Sequence, residues 1–258
     1  MLELYHWEPN VHFLKPLIAL AEKQVEFVSR WFDPTRFEQF VPGFPRNTEV
    51  ELNLECEGPV LVHDGVVIAH SFFMLEYISE ALPGPALFPE DSHARYRARA
   101  WGQVLGASLG PVLSSLGCVR YLAPLLRERN VQAEIARMQP EERRARWQAV
   151  IDTNESAQNA ETFHERLSAP VKRIEEALGQ SRWLAGDTYS IADIDAFAML
   201  DPLPALSPEI VNERATPRVC EFLHRLHDRP AVRTALGRSR SGSPRTAFVP
   251  GVESSRWG

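Results

Sequence analysis

A serine at the predicted start of a helix is the first residue in this sequence that could do chemistry. Ser71 directly precedes the apolar run Phe72-Phe73-Met74-Leu75-Glu76-Tyr77-Ile78. A hydroxyl in that position can cap the helix, and the N–H groups of the first turn are then available to an anion. These residues therefore predict a binding site for an anionic group.

Two short β-branched runs precede the serine and would position it. The runs Val60 to His63 and Val66 to Ala69 are joined by Asp64-Gly65, a dipeptide that tolerates the tight primed turn of a hairpin. Pro59 stands before the first run, where no ladder N–H is needed. This order predicts a β-hairpin that leads directly into the helix.

The cysteines do not indicate a metal site or a disulfide framework. There are three, at wide spacing, which is neither an even set nor a ligand pattern. Cys118 and Cys220 fall in apolar helical contexts, where a small core residue is expected. Cys56 has glutamates on both sides, which disfavour its thiolate, so we expect neither metal binding nor a redox role.

Composition excludes several classes of protein. The chain has 258 residues, 44% of them apolar, and a net charge of −6, which argues against a nucleic-acid partner. No run of about 18 apolar residues suggests a membrane span, and the N-terminus lacks the basic and apolar regions of a signal peptide. We expect a cytoplasmic protein, with enough residues for two domains.

The order of predicted elements divides the chain into two parts. A strand at 2–7, a helix at 12–23 and a strand at 25–32 are followed by a short helix near 35–40 and by the hairpin with its helix. Pro16 is placed in the first turn of the first helix, where proline is tolerated. The pattern β-α-β then β-β-α predicts an α/β thioredoxin-like domain over residues 1–83.

Strand patterns almost vanish beyond a proline-rich linker at 84–91. Helical periodicity covers about 92–127, 132–151, 157–178 and 217–228, and Pro230 opens a short final helix. We therefore predict an all-α helical bundle over 92–238 and an extended tail over 239–258. Gly102, Gly106 and Gly110 recur every fourth residue, which favours either close helix packing or space for a ligand.

The sequence contains a second, more specific signal for the start of a helix. Ser190 and Asp193 have the spacing of a capping box, with Asp in place of the usual Glu or Gln. Ile191, Ile194 and Phe197 would line the buried face behind this cap.

Together these features resemble the glutathione S-transferase superfamily over nearly the whole chain. The two best markers are Gly58-Pro59 to Ser71 and Ala185-Gly186-Asp187 to Asp193. Within the superfamily the chain is similar to the bacterial β-etherases, which use glutathione to cleave aryl ethers of lignin. That similarity lies in Leu14-Lys15-Pro16, Phe32-Asp33-Pro34, Phe37-Glu38-Gln39, His63-Asp64-Gly65 and the closing segments Phe248-Val249-Pro250-Gly251 and Arg256-Trp257-Gly258.

The resemblance implies how glutathione, the expected co-substrate, would bind. Gly58 and Pro59 would present backbone groups to the cysteinyl part across a cis peptide bond, and Ser71 would hold the γ-glutamyl carboxylate. The residue before that serine is usually acidic in the superfamily, whereas here it is His70. A neutral imidazole lacks the charge of a carboxylate. Three alternatives follow for His70. The protein could bind glutathione more weakly, it could use a modified thiol donor, or His70 could simply end the strand and have no role in binding.

The reacting end of glutathione would lie near the loop after the first strand. Residues 6–13 contain no hydroxyl or thiol that could stabilise a thiolate. The remaining donors are the Asn10 amide, the His12 ring and the backbone N–H groups of the helix start. Asn10 could instead be a simple cap, and His12 a surface residue of the first turn.

The second substrate would lie between the two domains. Trp7, Trp101, Leu105 and Tyr121 are the expected contacts of an aromatic ring, although ordinary interdomain packing explains each of them equally well. The resemblance implies a homodimeric glutathione transferase that converts a β-aryl ether to a glutathione thioether and a phenol. Two alternatives stay open. One is a different glutathione-dependent reaction, namely thioether removal, isomerisation or dehalogenation. The other is a non-catalytic binding protein of the same fold.

Overall fold

A mixed four-stranded sheet organises the first part of the chain. The computed structural model describes residues 1–45, 58–153 and 157–250. The spatial order of the strands is β2-β1-β3-β4, and the β1–β2 pair is parallel while the other two pairs are antiparallel. The strands are β1 (Leu2–His6), β2 (Val28–Trp31), β3 (Val60–His63) and β4 (Val66–Ile68).

The predicted hairpin is confirmed. Asp64 has φ 50° and Gly65 has φ 86°, so both central residues adopt the positive φ of a type I′ turn. Val62 pairs with Val67 across the two strands. The hairpin ends close to the start of the next helix and therefore fixes where Ser71 lies.

Two helices pack against the sheet. They are α1 (Val11–Lys23) and α2 (Ser71–Ala81). Leu14, Ile18 and Met74 are fully buried between them. Pro16 is the sixth residue of α1 and not part of its first turn, so that prediction is wrong. Its ring removes the N–H that would have bonded to the carbonyl of His12.

The segment after β2 forms two 3-10 turns instead of one short helix. They cover Pro34–Arg36 and Glu38–Phe40, and Phe37 between them has φ 60°. Asp33 accepts a hydrogen bond from the Thr35 N–H and so starts the first turn. Cys56 lies outside the described residues.

A single long helix begins the second part of the chain. Helix α3 runs over Ser92–Arg129 and contains two π-helical segments, Leu105–Leu109 and Cys118–Leu122. By length and composition α3 could cross a membrane, contrary to our expectation for this sequence. However, 67% of its most apolar stretch is buried inside the protein, as in the core helix of a globular domain.

The remaining helices follow the predicted order, with one interruption and one short helix, Leu203–Leu206, that was not predicted. The segment predicted as one helix over 132–151 is broken before Pro140, because the residue before a proline disfavours the α conformation. The helices are α4 (Gln132–Ala136), α5 (Glu141–Asp152), α6 (Ala157–Leu178), α7 (Ile191–Leu200), α8 (Leu203–Leu206), α9 (Pro217–His227) and α10 (Pro230–Leu236).

The capping box at the start of α7 is confirmed. Asp193 accepts hydrogen bonds from the Ser190 and Leu184 N–H groups, each at 2.9 Å, and the Ser190 hydroxyl accepts one from the Ala192 N–H. Ile194 and Phe197 behind the cap are fully buried. Burial raises the pKa of the Asp193 carboxyl to about 7, against the opposing effect of these hydrogen bonds.

The three glycines of α3 differ in whether they allow close helix packing or leave open space. A Cβ atom on Gly102 would lie 2.2 Å from the Phe72 ring, so this glycine allows α2 and α3 to pack closely. A Cβ atom on Gly106 would meet nothing within 4 Å. Gly110 makes only ordinary contacts.

Candidate functional site

Ser71 faces helix α1 and does not cap its own helix. It is the first helical residue of α2, and His70 takes the preceding position with φ 71° and ψ 104°. The Ser71 Oγ lies 3.1 Å from Nδ1 of His12 and accepts a hydrogen bond from Nζ of Lys15 at 3.3 Å. The capping role expected for Ser71 is therefore wrong, because its side chain points across to α1. The first N–H groups of α2 still have no acceptor within the helix.

The lysine that bonds to this serine is also part of a buried ion pair. Nζ of Lys15 lies 2.6 Å from Oδ1 of Asp195, and the two side chains are 2% and 1% exposed. Lys15 belongs to α1 and Asp195 to α7, so the pair joins the sheet domain to the helical domain. Burial raises the pKa of the Asp195 carboxyl, and the charge of Lys15 opposes that rise.

Sequence reasoning missed Lys15 and Asp195 as members of a site. A signal was present, because each is a charged residue among the buried positions of an apolar helix. Lys15 is flanked by Leu14 and Pro16, and Asp195 lies between Ile194 and Ala196, all of them buried. Buried charges are nearly always paired, so one such residue in each of two helices predicts a partnership.

His12 is neutral at physiological pH. Burial lowers the pKa of its imidazole well below 6.5, and the neighbouring Lys15 ammonium and His70 ring lower it further. A protonated His12 that stabilises a thiolate by its charge, as considered from the sequence, is therefore wrong. The neutral ring instead accepts or donates a hydrogen bond at Ser71.

Asn10 occupies the N-cap position of α1 but makes no capping bond. Its backbone is extended, with φ −139° and ψ 144°. Its Nδ2 donates instead to the carbonyl of Ala247 at 2.9 Å, and the residue is 2% exposed. The capping alternative is wrong, because no backbone N–H of α1 donates to the Asn10 side-chain oxygen.

The loop after β1 contains a buried carboxylate that the sequence analysis did not single out. Glu8 is 2% exposed. It accepts hydrogen bonds from the hydroxyls of Ser239 and Ser241 at 2.5 and 3.0 Å, and from the N–H groups of Arg240 and Ser241. A glutamate followed by a proline and an asparagine offers no sequence signal for a partner more than 230 residues away.

The expected cis bond before Pro59 is not found. Among the peptide bonds of the described residues, Gln139–Pro140 is the one in the cis form. The tertiary amide of any proline leaves only about 0.5–1 kcal/mol in favour of trans. Sequence alone therefore does not decide which proline is cis. Pro59 is buried and directly precedes β3.

The four aromatic and aliphatic residues expected at the second-substrate site differ in their surroundings. Leu105 is fully buried in the core, so ordinary packing accounts for it. Trp101 is half-buried at the edge of that core. Trp7 is 8% exposed and packs in one cluster with Val249, while the half-buried Tyr121 ring stacks on Phe248, with centroids 6.1 Å apart.

Comparisons with known proteins agree with this architecture. The family "Glutathione S-transferase, C-terminal domain" matches residues 134–230. Protein LigF of Sphingobium sp. is 29% identical over 248 residues, which cover 93% of this chain and 94% of LigF. The crystal structure of the β-etherase LigF superposes with a TM-score of 0.81 at 27% identity, over 92% of this chain and 99% of LigF. The chain has the glutathione S-transferase fold, and residues 134–230 match the C-terminal domain of that family.

More distant structures share the same fold. Glutathione transferase F7 of Populus trichocarpa has a TM-score of 0.71 at 21% identity, over 92% of this chain and 98% of its own. A glutathione transferase family member of Pseudomonas fluorescens pf-5, solved with two glutathione molecules bound, has a TM-score of 0.69 at 20% identity, over 91% and 92% of the two chains.

Within this fold, the two cysteines of the described residues have no nucleophilic surroundings. Cys118 is buried in the second π-helical segment of α3. Burial raises the pKa of the half-buried Cys220 thiol, and the charges of Glu213 and Glu175 raise it further.

Proposed function

We propose that this protein is a glutathione transferase that attacks an aromatic substrate, and that the substrate is a β-aryl ether. The single observation that carries the proposal is the cluster at the start of α2, where Ser71 meets Lys15 and His12. The similarity to LigF, over nearly the full length of both chains, supports the choice of a β-aryl ether.

The cluster suits the γ-glutamyl carboxylate of glutathione. The Ser71 hydroxyl, the first N–H groups of α2 and the positive end of the helix dipole all favour a carboxylate there. The ammonium of Lys15, 3.3 Å from the Ser71 oxygen, adds a full positive charge below the site. Asp195 balances that charge when no carboxylate is bound, which keeps the buried lysine compatible with the folded protein.

The missing acid at position 70 changes the site's ammonium contact. The His70 ring packs against Phe73, with centroids 4.7 Å apart. It provides no carboxylate for the α-ammonium of glutathione. We propose that glutathione is held mainly through its carboxylate end and its backbone, with an affinity about tenfold lower than an acid at this position would give.

The reaction is a redox-neutral displacement. The glutathione thiolate attacks the carbon that carries the aryl ether, a C–S bond forms, and the C–O bond breaks. Its electron pair leaves on the phenoxide, which takes a proton from solvent to give the phenol. The protein contributes positioning and a water-poor cleft. The N-terminus of α1 and the Asn10 amide are the proposed thiolate stabilisers, because residues 6–13 carry no hydroxyl or thiol.

We propose a homodimer in the cytoplasm. Phe73 on α2 and Tyr96 on α3 are 60% and 71% exposed, which is unusual for large apolar side chains and favours a protein contact there. Sedimentation of the purified protein tests the dimer directly, and a monomer at micromolar concentration would contradict it.

The function is tested with glutathione and a guaiacyl-type β-aryl ether. We expect equal amounts of free phenol and glutathione conjugate. Ser71→Ala should raise the KM for glutathione about tenfold through loss of a hydrogen bond to a charged group. Ser168→Ala is the matched control, since that hydroxyl bonds only within α6. If no ether of this type releases phenol, the etherase proposal is wrong; if calorimetry also finds no glutathione binding, a non-catalytic binding protein replaces it.

A further inference from the structure

Residues 239–250, here called the arm, bind both domains of the protein. Glu8 of the sheet domain holds the beginning of the arm through the four hydrogen bonds described above. Arg245 makes a bidentate ion pair with Asp201 at the end of α7, at 2.7 and 2.9 Å. Further on, the hydroxyl of Ser114 on α3 donates to the carbonyl of Val249 at 2.8 Å.

The end of the arm lies between the two residues expected to contact an aromatic substrate. Val249 packs on the Trp7 side, in the cluster that includes Phe13. Phe248 stacks on Tyr121 and covers Gly117, where a Cβ atom would lie only 2.1 Å from its ring. Phe248 is 3% exposed and Val249 is 8% exposed, so both arm residues are buried against these expected substrate contacts.

We propose that Phe248 and Val249 are a built-in occupant of the second-substrate site, which an aromatic substrate must displace. This inference rests on the proposed function, because it identifies that site with the cleft between Trp7 and Tyr121. An aromatic side chain stacked on a tyrosine is a chemical mimic of the aromatic ring that would replace it. The arm then determines which aromatic substrates bind, because a substrate enters only if it binds the site more strongly than Phe248 and Val249 do.

The proposal makes a quantitative statement about affinity. When the site is occupied intramolecularly, the apparent dissociation constant of a ligand equals its intrinsic value divided by the open fraction. Weakening the attachment of the arm raises the open fraction and tightens the binding of any ligand that needs the cleft. Ligands that use only the cluster at Ser71 are unaffected.

Two probes separate these cases. Glutathione occupies the Ser71 cluster only, whereas S-benzylglutathione also places a phenyl ring in the cleft. Arg245→Ala removes the bidentate bond to Asp201, whereas the contact between Asp201 and His227 remains. In this variant S-benzylglutathione should bind about fivefold more tightly. Glutathione binding should stay within about twofold, and the arm's amides should exchange hydrogen faster. Arg233→Ala on α10 is the matched control, because that guanidinium bonds to the carbonyl of Asp228 and not to the arm.

A second variant acts on the occupant itself. Phe248→Ala should also tighten S-benzylglutathione binding relative to glutathione, whether or not the arm detaches. Weaker S-benzylglutathione binding in either variant would overturn the proposal and make the arm a wall of the site. An unchanged ratio in both variants would overturn it as well. If the unaltered protein binds no glutathione, the proposed function itself has failed, and that result is distinct from either of these.

Discussion

The buried pair of Lys15 and Asp195 gives the sharpest test of how the two domains are joined. Asp195→Asn keeps the shape of the side chain but removes its negative charge. The ammonium of Lys15, 2% exposed and now 2.6 Å from a neutral group, would then have lost its carboxylate partner. Because an ion taken out of water without compensation is costly, the folded protein should be strongly destabilised.

The expected magnitude follows from the burial of both partners. Breaking one side of a buried ion pair costs about 3–5 kcal/mol, a large share of the roughly 5–15 kcal/mol that stabilises a typical domain. The pair of Arg30 and Glu3 is the matched control, since its atoms are 2.7 Å apart but Arg30 is 51% exposed. Glu3→Gln should cost far less than Asp195→Asn, because solvent screens that pair.

The measurement is urea unfolding followed by tryptophan fluorescence. The double variant Lys15→Met, Asp195→Leu completes the comparison, since replacing a buried pair with apolar groups of similar size is often neutral or stabilising. We expect the double variant to be more stable than Asp195→Asn. Without the ammonium below Ser71, it should also bind glutathione more weakly.

Two results would refute this reasoning. If Asp195→Asn lowers the free energy of unfolding no more than Glu3→Gln does, the Lys15 ammonium is compensated by something other than Asp195. If the double variant is less stable than Asp195→Asn, the two charges stabilise the fold by themselves. A double variant that folds and binds glutathione normally would instead remove Lys15 from the proposed carboxylate site.

Two further predictions concern the helices. Gly102→Ala should destabilise the protein by about 1–3 kcal/mol, because the added methyl group overlaps the Phe72 ring. Gly106→Ala is its control and should not be destabilising, since nothing lies within 4 Å of that position; equal urea midpoints for the two variants would contradict this account. Burial raises the pKa of Asp193 from 3.8 to about 7. Because the pKa is raised in the folded state, this group's contribution to the free energy of unfolding is fully present below pH 4. That contribution is lost as the pH rises through 7, and the loss amounts to about 4 kcal/mol. The stability of the unaltered protein relative to Asp193→Asn should therefore fall between pH 4 and pH 8, and a difference independent of pH would argue against it.

Local sequence patterns were enough to predict most of the fold. The Asp64-Gly65 turn, the Ser190–Asp193 capping box and the helix over Ala157–Leu178 depend on neighbours within a few residues. Such interactions leave a readable period or spacing in the sequence. The order of these elements then restricts the architecture to a thioredoxin-like sheet with a helical bundle.

The site was less predictable because its contacts join distant parts of the chain. Ser71 was expected to cap α2, yet its hydroxyl faces α1, since His70 and not Ser71 precedes the helix. The amide of Asn10 bonds to Ala247, 237 residues later. No local pattern encodes such partners; buried charges in apolar helices, such as Lys15, are the one signal that points to them.

The two π-helical segments of α3 have a geometric consequence for the cleft. In an ideal α-helix each residue advances by about 100°, so residues 101 and 121 would differ by about 200° and lie on opposite faces. Each π segment absorbs one extra residue, which reduces the effective separation by two residues and brings the difference to about zero. Trp101 and Tyr121 thus share one side of a helix that would otherwise separate them. If either segment were regular α-helix at unchanged chain length, the two rings would lie about 100° apart on different sides of the helix.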